Sequence, residues 1–200
     1  MVAKNKKNLL SVADFLFEVG ILAKTPRSWA AFLGSGQQTV AEHINRTVFI
    51  GLCLGFLNGR VDTSRIALMC LFHDVSESRI SDLNYVHQKY TERLEKKAED
   101  DLISSLPFGE KIRPILEEYH ARKTKESLLA KDADQLELLL SLKEQIDIGN
   151  KRAKTWVKSL LSRLKMAESK TLAKKILDTD SDHWWFGDKE DKWWVNRSGK

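Results

Sequence analysis

Apolar residues recur at every third or fourth position through most of the chain, which is the spacing of a helix face packed against a core. Residues 9–22 would place their apolar side chains on one buried face. Residues 37–57 carry an apolar stripe with four-residue spacing from Val40 to Phe56. No segment alternates convincingly with the two-residue period of a strand. The pattern predicts an all-α fold.

Turn and capping residues divide this pattern into separate helices. Asn58-Gly59 is a C-cap for the second helix, and Asp62-Thr63-Ser64 offers an N-cap to a third that ends near Val75. Residues 76–90 are polar and aperiodic, so we predict a loop with short helical turns. Further helices are expected at 91–104, 109–122, 125–148, 153–166 and 170–178.

The length of 200 residues suits one compact domain. Residues 1–150 would form its main part. Residues 151–200 would add C-terminal helices and a tryptophan-rich tail packed on the same domain. The paired tryptophans of that tail are Trp184, Trp185, Trp193 and Trp194.

Charge and cysteine content narrow the setting of the protein. The chain has 33 Lys and Arg against 28 Asp and Glu, a net charge of +5 that is spread along the sequence and gives little support for a nucleic-acid partner. The first residues are basic and then apolar, but Asp14 and Glu18 interrupt the run, and no window reaches a membrane span. Cys53 and Cys70 lie in apolar runs and are expected to be small buried residues. We therefore expect a cytoplasmic protein with no membrane partner.

Four polar residues are hard to explain as packing. His43 lies within a helix, His73 and Asp74 are adjacent at the end of another, and Asp134 interrupts a strongly apolar helix. A buried carboxylate is costly without a partner. Imidazole nitrogen and carboxylate oxygen together suit a divalent ion such as Co, Mn, Mg, Zn or Fe. The four residues are therefore candidate metal ligands.

The order of these residues resembles the H…HD…D pattern of HD-domain metal-dependent phosphohydrolases. The stretch HDVSESRISDLNYVHQKY and the pair EEYHARKTKESLLAKDADQLELLL are similar to segments of the 5′-deoxynucleotidase branch. TPRSW at 25–29 is similar to the Arg and Trp element that precedes the first His there. The resemblance covers residues 8–147 and implies a helical bundle with a divalent metal site in its core.

The resemblance also implies roles for individual residues. Glu77 and Asp82 match the acidic residues that position water and handle protons, and Arg27 and Trp29 match substrate-binding positions. Glu42 either orients an imidazole or lies at the surface. The remaining histidines, His87, His120 and His183, are expected to be peripheral, with His87 the nearest to the substrate.

The expected function is metal-dependent hydrolysis of (deoxy)ribonucleoside 5′-monophosphates to nucleoside and phosphate. Two other readings stay open. One is an HD-type phosphodiesterase or nucleotide or alarmone hydrolase; the other is a non-catalytic helical module that binds nucleic acid. The resemblance further implies that the protein is a homodimer. It also implies that the molecule bound at the site is a small nucleotide substrate.

Overall fold

The computed structural model describes residues 2–191 and 193 and is helical, which confirms the all-α prediction. In these residues the one β contact is an isolated bridge between Pro26 and Thr39. A 3-10 helix spans Gly20–Lys24. The α-helices in chain order are α1 Val2–Val19, α2 Ala30–Leu33, α3 Val40–Asn58, α4 Thr63–Phe72, α5 Glu77–Ile80, α6 His87–Tyr90, α7 Glu95–Ser105, α8 Gly109–Ala121, α9 Lys125–Asp147, α10 Lys151–Leu161, α11 Ala167–Leu177 and α12 His183–Phe186.

Helix α9 is the central element of the bundle. It packs against α3, α4, α8, α10 and α11, while α3 packs most extensively against α4. Leu129, Leu136, Leu139 and Leu142 of α9 are completely buried. The polar residues of α3 and α9 that face each other across this contact are therefore held in the interior.

Capping residues fix where the central helices begin and end. Thr39 and Glu42 form a capping box at the start of α3, and Gly59 ends that helix in the left-handed conformation with φ of 67°. The side chain of Asp62 accepts the backbone N–H of Arg65 at 2.9 Å at the start of α4. These caps lie where the sequence predicted them for the end of α3 and the start of α4.

The buried face of α3 is not the stripe from Val40 to Phe56. Val40 is fully buried, whereas Phe56 is exposed. A step of four residues turns about 40° beyond a full helical turn, so four such steps carry the side chain roughly 160° around the axis. The buried set follows the true period and contains His43, Thr47 and Leu54.

The expected buried face of the first helix is also corrected. Residues 9–19 are helical, but the apolar side chains Leu9, Leu10, Leu16 and Phe17 are exposed, Phe17 to 81%. Phe15 and Val19 instead pack against the core cluster around Leu102. Cys53 is likewise exposed, contrary to prediction, whereas Cys70 is buried; both thiols are free.

Two glycines allow α3 and α4 to approach closely. A Cβ atom built at Gly51 would lie 2.7 Å from Sγ of Cys70, and one at Gly55 would lie 2.7 Å from Oγ1 of Thr63. Real Cβ contacts are longer than this, so any larger residue would move one helix relative to the other. These glycines therefore set the separation of α3 and α4.

One helix, α3, is long and apolar enough by length and composition to cross a membrane. Core helices of globular domains pass the same test. In this structure α3 lies between α4 and α9 and carries the fully buried His43.

Candidate metal centre

Four side chains from three parts of the chain converge at one point in the core. His43 comes from α3, His73 and Asp74 from the turn that follows α4, and Asp134 from α9. The two imidazole Nε2 atoms lie 3.3 Å apart. Nε2 of His73 is 3.2 Å from Oδ2 of Asp74, and Nε2 of His43 is 3.3 Å from Oδ1 of Asp134. These atoms face one another across a gap.

The size of this gap fits a single divalent ion. The remaining distances are 3.5 Å from His43 to Asp74 and 3.9 Å from His73 to Asp134. Donors about 2.1 Å from one ion lie roughly 3.0 Å apart at a right angle and about 3.4 Å apart in a tetrahedron. His43, His73 and Asp134 offer donor atoms within 4.8 Å of one another and could share one ion through both hard oxygen and imidazole nitrogen donors. Asp74 lies beside both imidazoles but outside this group of three, and its Oδ2 also pairs with Arg27.

Hydrogen bonds behind the two imidazoles orient their Nε2 atoms toward the centre. Nδ1 of His43 lies 2.5 Å from Oε2 of Glu137, and Nδ1 of His73 lies 2.8 Å from the carbonyl oxygen of Cys70. Both partners are acceptors, so each Nδ1 donates a proton to them, and the lone pair of each Nε2 would be available to a metal once that nitrogen has lost its own proton.

Glu137 is a functional residue that the sequence did not reveal. It is completely buried and lies one helical turn after Asp134 on α9. Arg46 donates to its Oε1 from Nε at 2.9 Å, and Gln38 donates from Nε2 at 2.6 Å. Burial would raise the pKa of Glu137, but these contacts, with His43 foremost, lower it to about 2. The one signal for Glu137 in the sequence was that a charged residue stands within an apolar helix.

The electrostatic surroundings of the centre favour a cation. Burial and Arg27 lower the pKa of His43, yet the hydrogen bonds and charges of Asp134 and Glu137 prevail and raise it to about 9. Burial also opposes ionisation of Asp134, whose pKa is nevertheless held well below its usual value by Lys131 at 2.6 Å and by the imidazoles. Any positive charge placed between these groups is stabilised.

The turn before α2 closes one side of the centre. Nη1 of Arg27 lies 3.2 Å from Oδ2 of Asp74 and 3.2 Å from Oδ2 of Asp82. Asp82 also accepts hydrogen bonds from the backbone N–H and the hydroxyl of Ser28, at 2.9 and 3.1 Å. Both oxygens of Asp82 are therefore engaged by the turn, which fixes Arg27 against the centre.

Glu77 is the acidic residue of this cavity with an oxygen that makes no hydrogen bond. It is 3% exposed, and its Oε1 lies 3.3 Å from Arg93. Its buried Oε2 has no hydrogen-bond partner in the described structure and lies 3.9 Å from Nη1 of Arg27. Burial, followed by the negative charges of Asp74 and Asp82, raises the pKa of Glu77 to about 9. The Nε atom of Arg27 is also buried and unpartnered. Unpaired buried polar atoms on both sides of the cavity are the mark of a polar ligand site.

These residues line a cavity of about 330 Å³. That volume lies at the lower end of the range for small-molecule sites. Its acidic lining is Asp74, Glu77, Asp82, Glu95 and Asp134, and its basic lining is Arg27, Arg93, Arg122, Lys131 and Arg163. An anion that entered beside a bound cation would be met by several guanidinium groups.

Trp29, Glu42 and two histidines occupy distinct places around this cavity. Trp29 lines it but is 7% exposed, and its indole N–H donates to Gln38 at 3.1 Å. Glu42 serves the capping box of α3 and does not contact the imidazoles. His120 lies in the cavity wall, whereas His87, which the sequence placed in a loop that substrate could reach, is not among the lining residues.

The fold and site define an all-α protein with a His- and Asp-lined metal centre in its interior. Residues 19–176 match the HD domain family, and the chain belongs to that family. This confirms the resemblance seen in the sequence.

Named relatives and solved structures agree with this assignment. A 5′-deoxynucleotidase from Dictyostelium discoideum is 33% identical over 119 residues, which cover 54% of this chain and 62% of that protein, less than two thirds of its length. A 5′-deoxynucleotidase from Yersinia pestis is 30% identical over 61% of this chain and 68% of that one. A crystal structure titled as an HD-domain phosphohydrolase from Listeria innocua shares the fold, with a TM-score of 0.63, 21% identity and coverage of 91% and 94% of the two chains.

Proposed function

We propose that this protein is a metal-dependent phosphomonoesterase that hydrolyses (deoxy)ribonucleoside 5′-monophosphates to nucleoside and phosphate. The observation that carries the proposal is the convergence of four metal-ligand atoms beside Arg27 and the free oxygen of Glu77 in one cavity. The 5′-deoxynucleotidase names of two relatives support the choice of substrate.

His43, His73, Asp74 and Asp134 would hold the ion. A divalent ion at this position supplies Lewis-acid polarisation of a phosphoryl oxygen and lowers the pKa of a coordinated water. The donor set is hard and mixed, so Co, Mn, Mg, Zn and Fe are all candidates.

The other residues of the cavity would bind and orient the substrate. Arg27 offers its forked donors to the phosphate, and Asp82 keeps Arg27 and Ser28 in place. Glu77 directs its free Oε2 into the same cavity and would position the attacking water or hand a proton to the leaving 5′-oxygen. Trp29 would form an apolar wall for the sugar.

The test is phosphate release from a panel of ribo- and deoxyribonucleoside 5′-monophosphates. The protein is stripped with a chelator and reloaded with each of the five ions in turn. We expect no release from the stripped protein and recovery with at least one ion. Release of pyrophosphate from a triphosphate, or opening of a cyclic phosphate, in place of phosphate release would contradict the proposal.

We also propose that the protein works as a homodimer in the cytoplasm and that α1 forms part of the subunit contact. Leu9, Leu10, Leu16 and Phe17 are four exposed apolar side chains on that helix. Exposed apolar patches of this kind mark interaction surfaces, and closed dimers are the commonest assembly of one chain. Light scattering on the purified protein tests the mass, and a monomer at micromolar concentration would exclude the dimer.

A further inference from the structure

We propose that a second cavity, beside the metal centre, binds the nucleobase of the substrate. We call it the base chamber; it has a volume of about 570 Å³, and its aromatic walls are Phe32 of α2, Tyr85 of the loop after α5, and Trp156 of α10. The inference rests on the proposed function, because it names where one part of the proposed substrate lies.

The base chamber and the metal-centred cavity share part of their lining. Phe32, Tyr85, Leu138, Trp156 and Arg163 line both. A ligand whose phosphate lies at the metal ligands and that extends past these shared residues therefore enters the base chamber. The order phosphate, sugar, base in a nucleotide matches the order of the two cavities.

The two cavities differ in polarity, as do the phosphate and the base of a nucleotide. Ten charged side chains line the metal-centred cavity, whereas two, Arg152 and Arg163, line the base chamber. Beyond the shared aromatic residues, the base chamber adds Val86, Leu142 and Leu160. An anionic phosphate requires the first environment, and a flat aromatic base is most stable in the second.

The aromatic walls are positioned for stacking and for contact with a base edge. The ring centroids of Phe32 and Trp156 lie 6.3 Å apart with an interplanar angle of 54°, so the two rings are tilted toward each other. The guanidinium of Arg163 lies 6.0 Å from the centroid of Tyr85, and Arg152 and Ser159 add polar groups to the lining. These donors would hydrogen-bond the polar edge of a base that stacks on the open face of one of the rings.

The experiment compares two substrates that differ by the base alone. 2′-Deoxyadenosine 5′-monophosphate carries the base, and 2-deoxyribose 5-phosphate lacks it. In the metal-loaded Trp156→Ala protein, we expect kcat/KM for the nucleotide to fall about tenfold more than kcat/KM for the sugar phosphate, because only the nucleotide loses base stacking while both substrates pass the shared lining. Tyr85→Ala, at an exposed position that tolerates truncation, should change the nucleotide in the same direction. Trp184→Ala, which removes an indole that is 85% exposed and outside both cavities, is the matched control and should change neither substrate.

Each outcome decides between the two proposals. A loss in Trp156→Ala or Tyr85→Ala that is about tenfold larger for the nucleotide than for the sugar phosphate supports the base chamber. Equal losses for both substrates, or no loss in either variant, overturn the base chamber and leave the proposed function intact. If the wild-type protein hydrolyses neither substrate with any of the five ions, the proposed function fails and the base chamber fails with it. Thermal melts show whether Trp156→Ala is folded; if it is not, Tyr85→Ala decides alone.

Discussion

The metal centre and the first helix depart from the usual distribution of polar and apolar residues in opposite directions. At the centre, His43 and Glu137 are completely buried. On α1, Leu16 is 64% exposed and Phe17 is 81% exposed. The buried polar groups contact one another and the charged side chains around them, so contacts within the chain account for their burial. The exposed apolar groups of α1 have no such partners within the chain's core and would be covered by the dimer contact that we propose.

The largest effect is expected when the centre loses a ligand. Asp134→Ala removes an oxygen that faces both imidazoles, and we expect kcat/KM to fall by more than about a hundredfold, because loss of an outer partner alone costs roughly 10- to 100-fold. Metal analysis should show a matching loss of bound ion. Asp132→Ala is the control: it is buried on the same helix but accepts the backbone N–H groups of Lys165 and Met166, so it should lower stability and keep the ion. Full metal content in Asp134→Ala would refute the ligand assignment.

A smaller effect is expected behind the first imidazole. Glu137→Gln keeps the shape of the side chain but removes the charge that faces Nδ1 of His43, so metal affinity should weaken by about 10- to 100-fold. Glu144→Gln is a matched control, since Glu144 also contacts Arg46 but its side chain is half exposed. Competition titration with a chelator measures both affinities. Equal affinities in the two variants would show that Glu137 does not support His43.

On α1 the expected change is in assembly and not in folding. Phe17→Ser should weaken the dimer by about tenfold or more, because a buried aromatic anchor contributes on the order of 2 kcal/mol to an interface. The free energy of unfolding of the monomer should change by less than about 0.5 kcal/mol at so exposed a position. Light scattering across a dilution series measures the first, and denaturant unfolding the second. Tyr90→Ser, at another exposed position, is the control; an unchanged dimer in Phe17→Ser would exclude α1 from the interface.

The smallest effect concerns His120, at the rim of the metal-centred cavity. Its Nε2 lies 2.9 Å from Glu99, and this hydrogen bond, against partial desolvation, raises the pKa of His120 above its usual value. The pair therefore contributes stability below the unfolded pKa of about 6.5 and loses it as pH rises through the folded pKa. Glu99→Gln should lower the pKa of His120, measured by NMR titration of its ring protons. An unchanged pKa would show that Glu99 does not act on His120.

The sequence identifies the candidate metal ligands better than it identifies which faces of the helices are buried. His43 and Asp134 stand out because a polar residue in an apolar helix is costly to bury without a partner. This argument does not depend on the exact bounds of the helix. Glu137 has the same local setting as Asp134, a carboxylate in an apolar helix, but it is not part of the H…HD…D pattern. Its contacts with His43 and Arg46 depend on how α3 crosses α9. Such contacts between distant segments are not encoded in local spacing.

Helix faces were predicted less well because periodicity does not state which side is covered. Helix α1 exists as predicted, but Phe15 and Val19 contact the core while Leu9 and Phe17 do not. Along α3, the four-residue stripe drifts around the axis until Phe56 is exposed. In both cases the residues were identified as apolar and helical, and the tertiary contacts decided their burial.

The close contact at Gly51 links the spacing of α3 and α4 to the spacing of the two imidazoles. Gly51 lies eight residues beyond His43, roughly 12 Å along α3. A methyl group there would meet Sγ of Cys70, which is three residues before His73. If α4 moved outward to make room, His73 would move away from His43, whose Nε2 atom now lies 3.3 Å from that of His73. The separation of the two imidazoles therefore depends in part on a helix contact that lies outside the candidate metal centre.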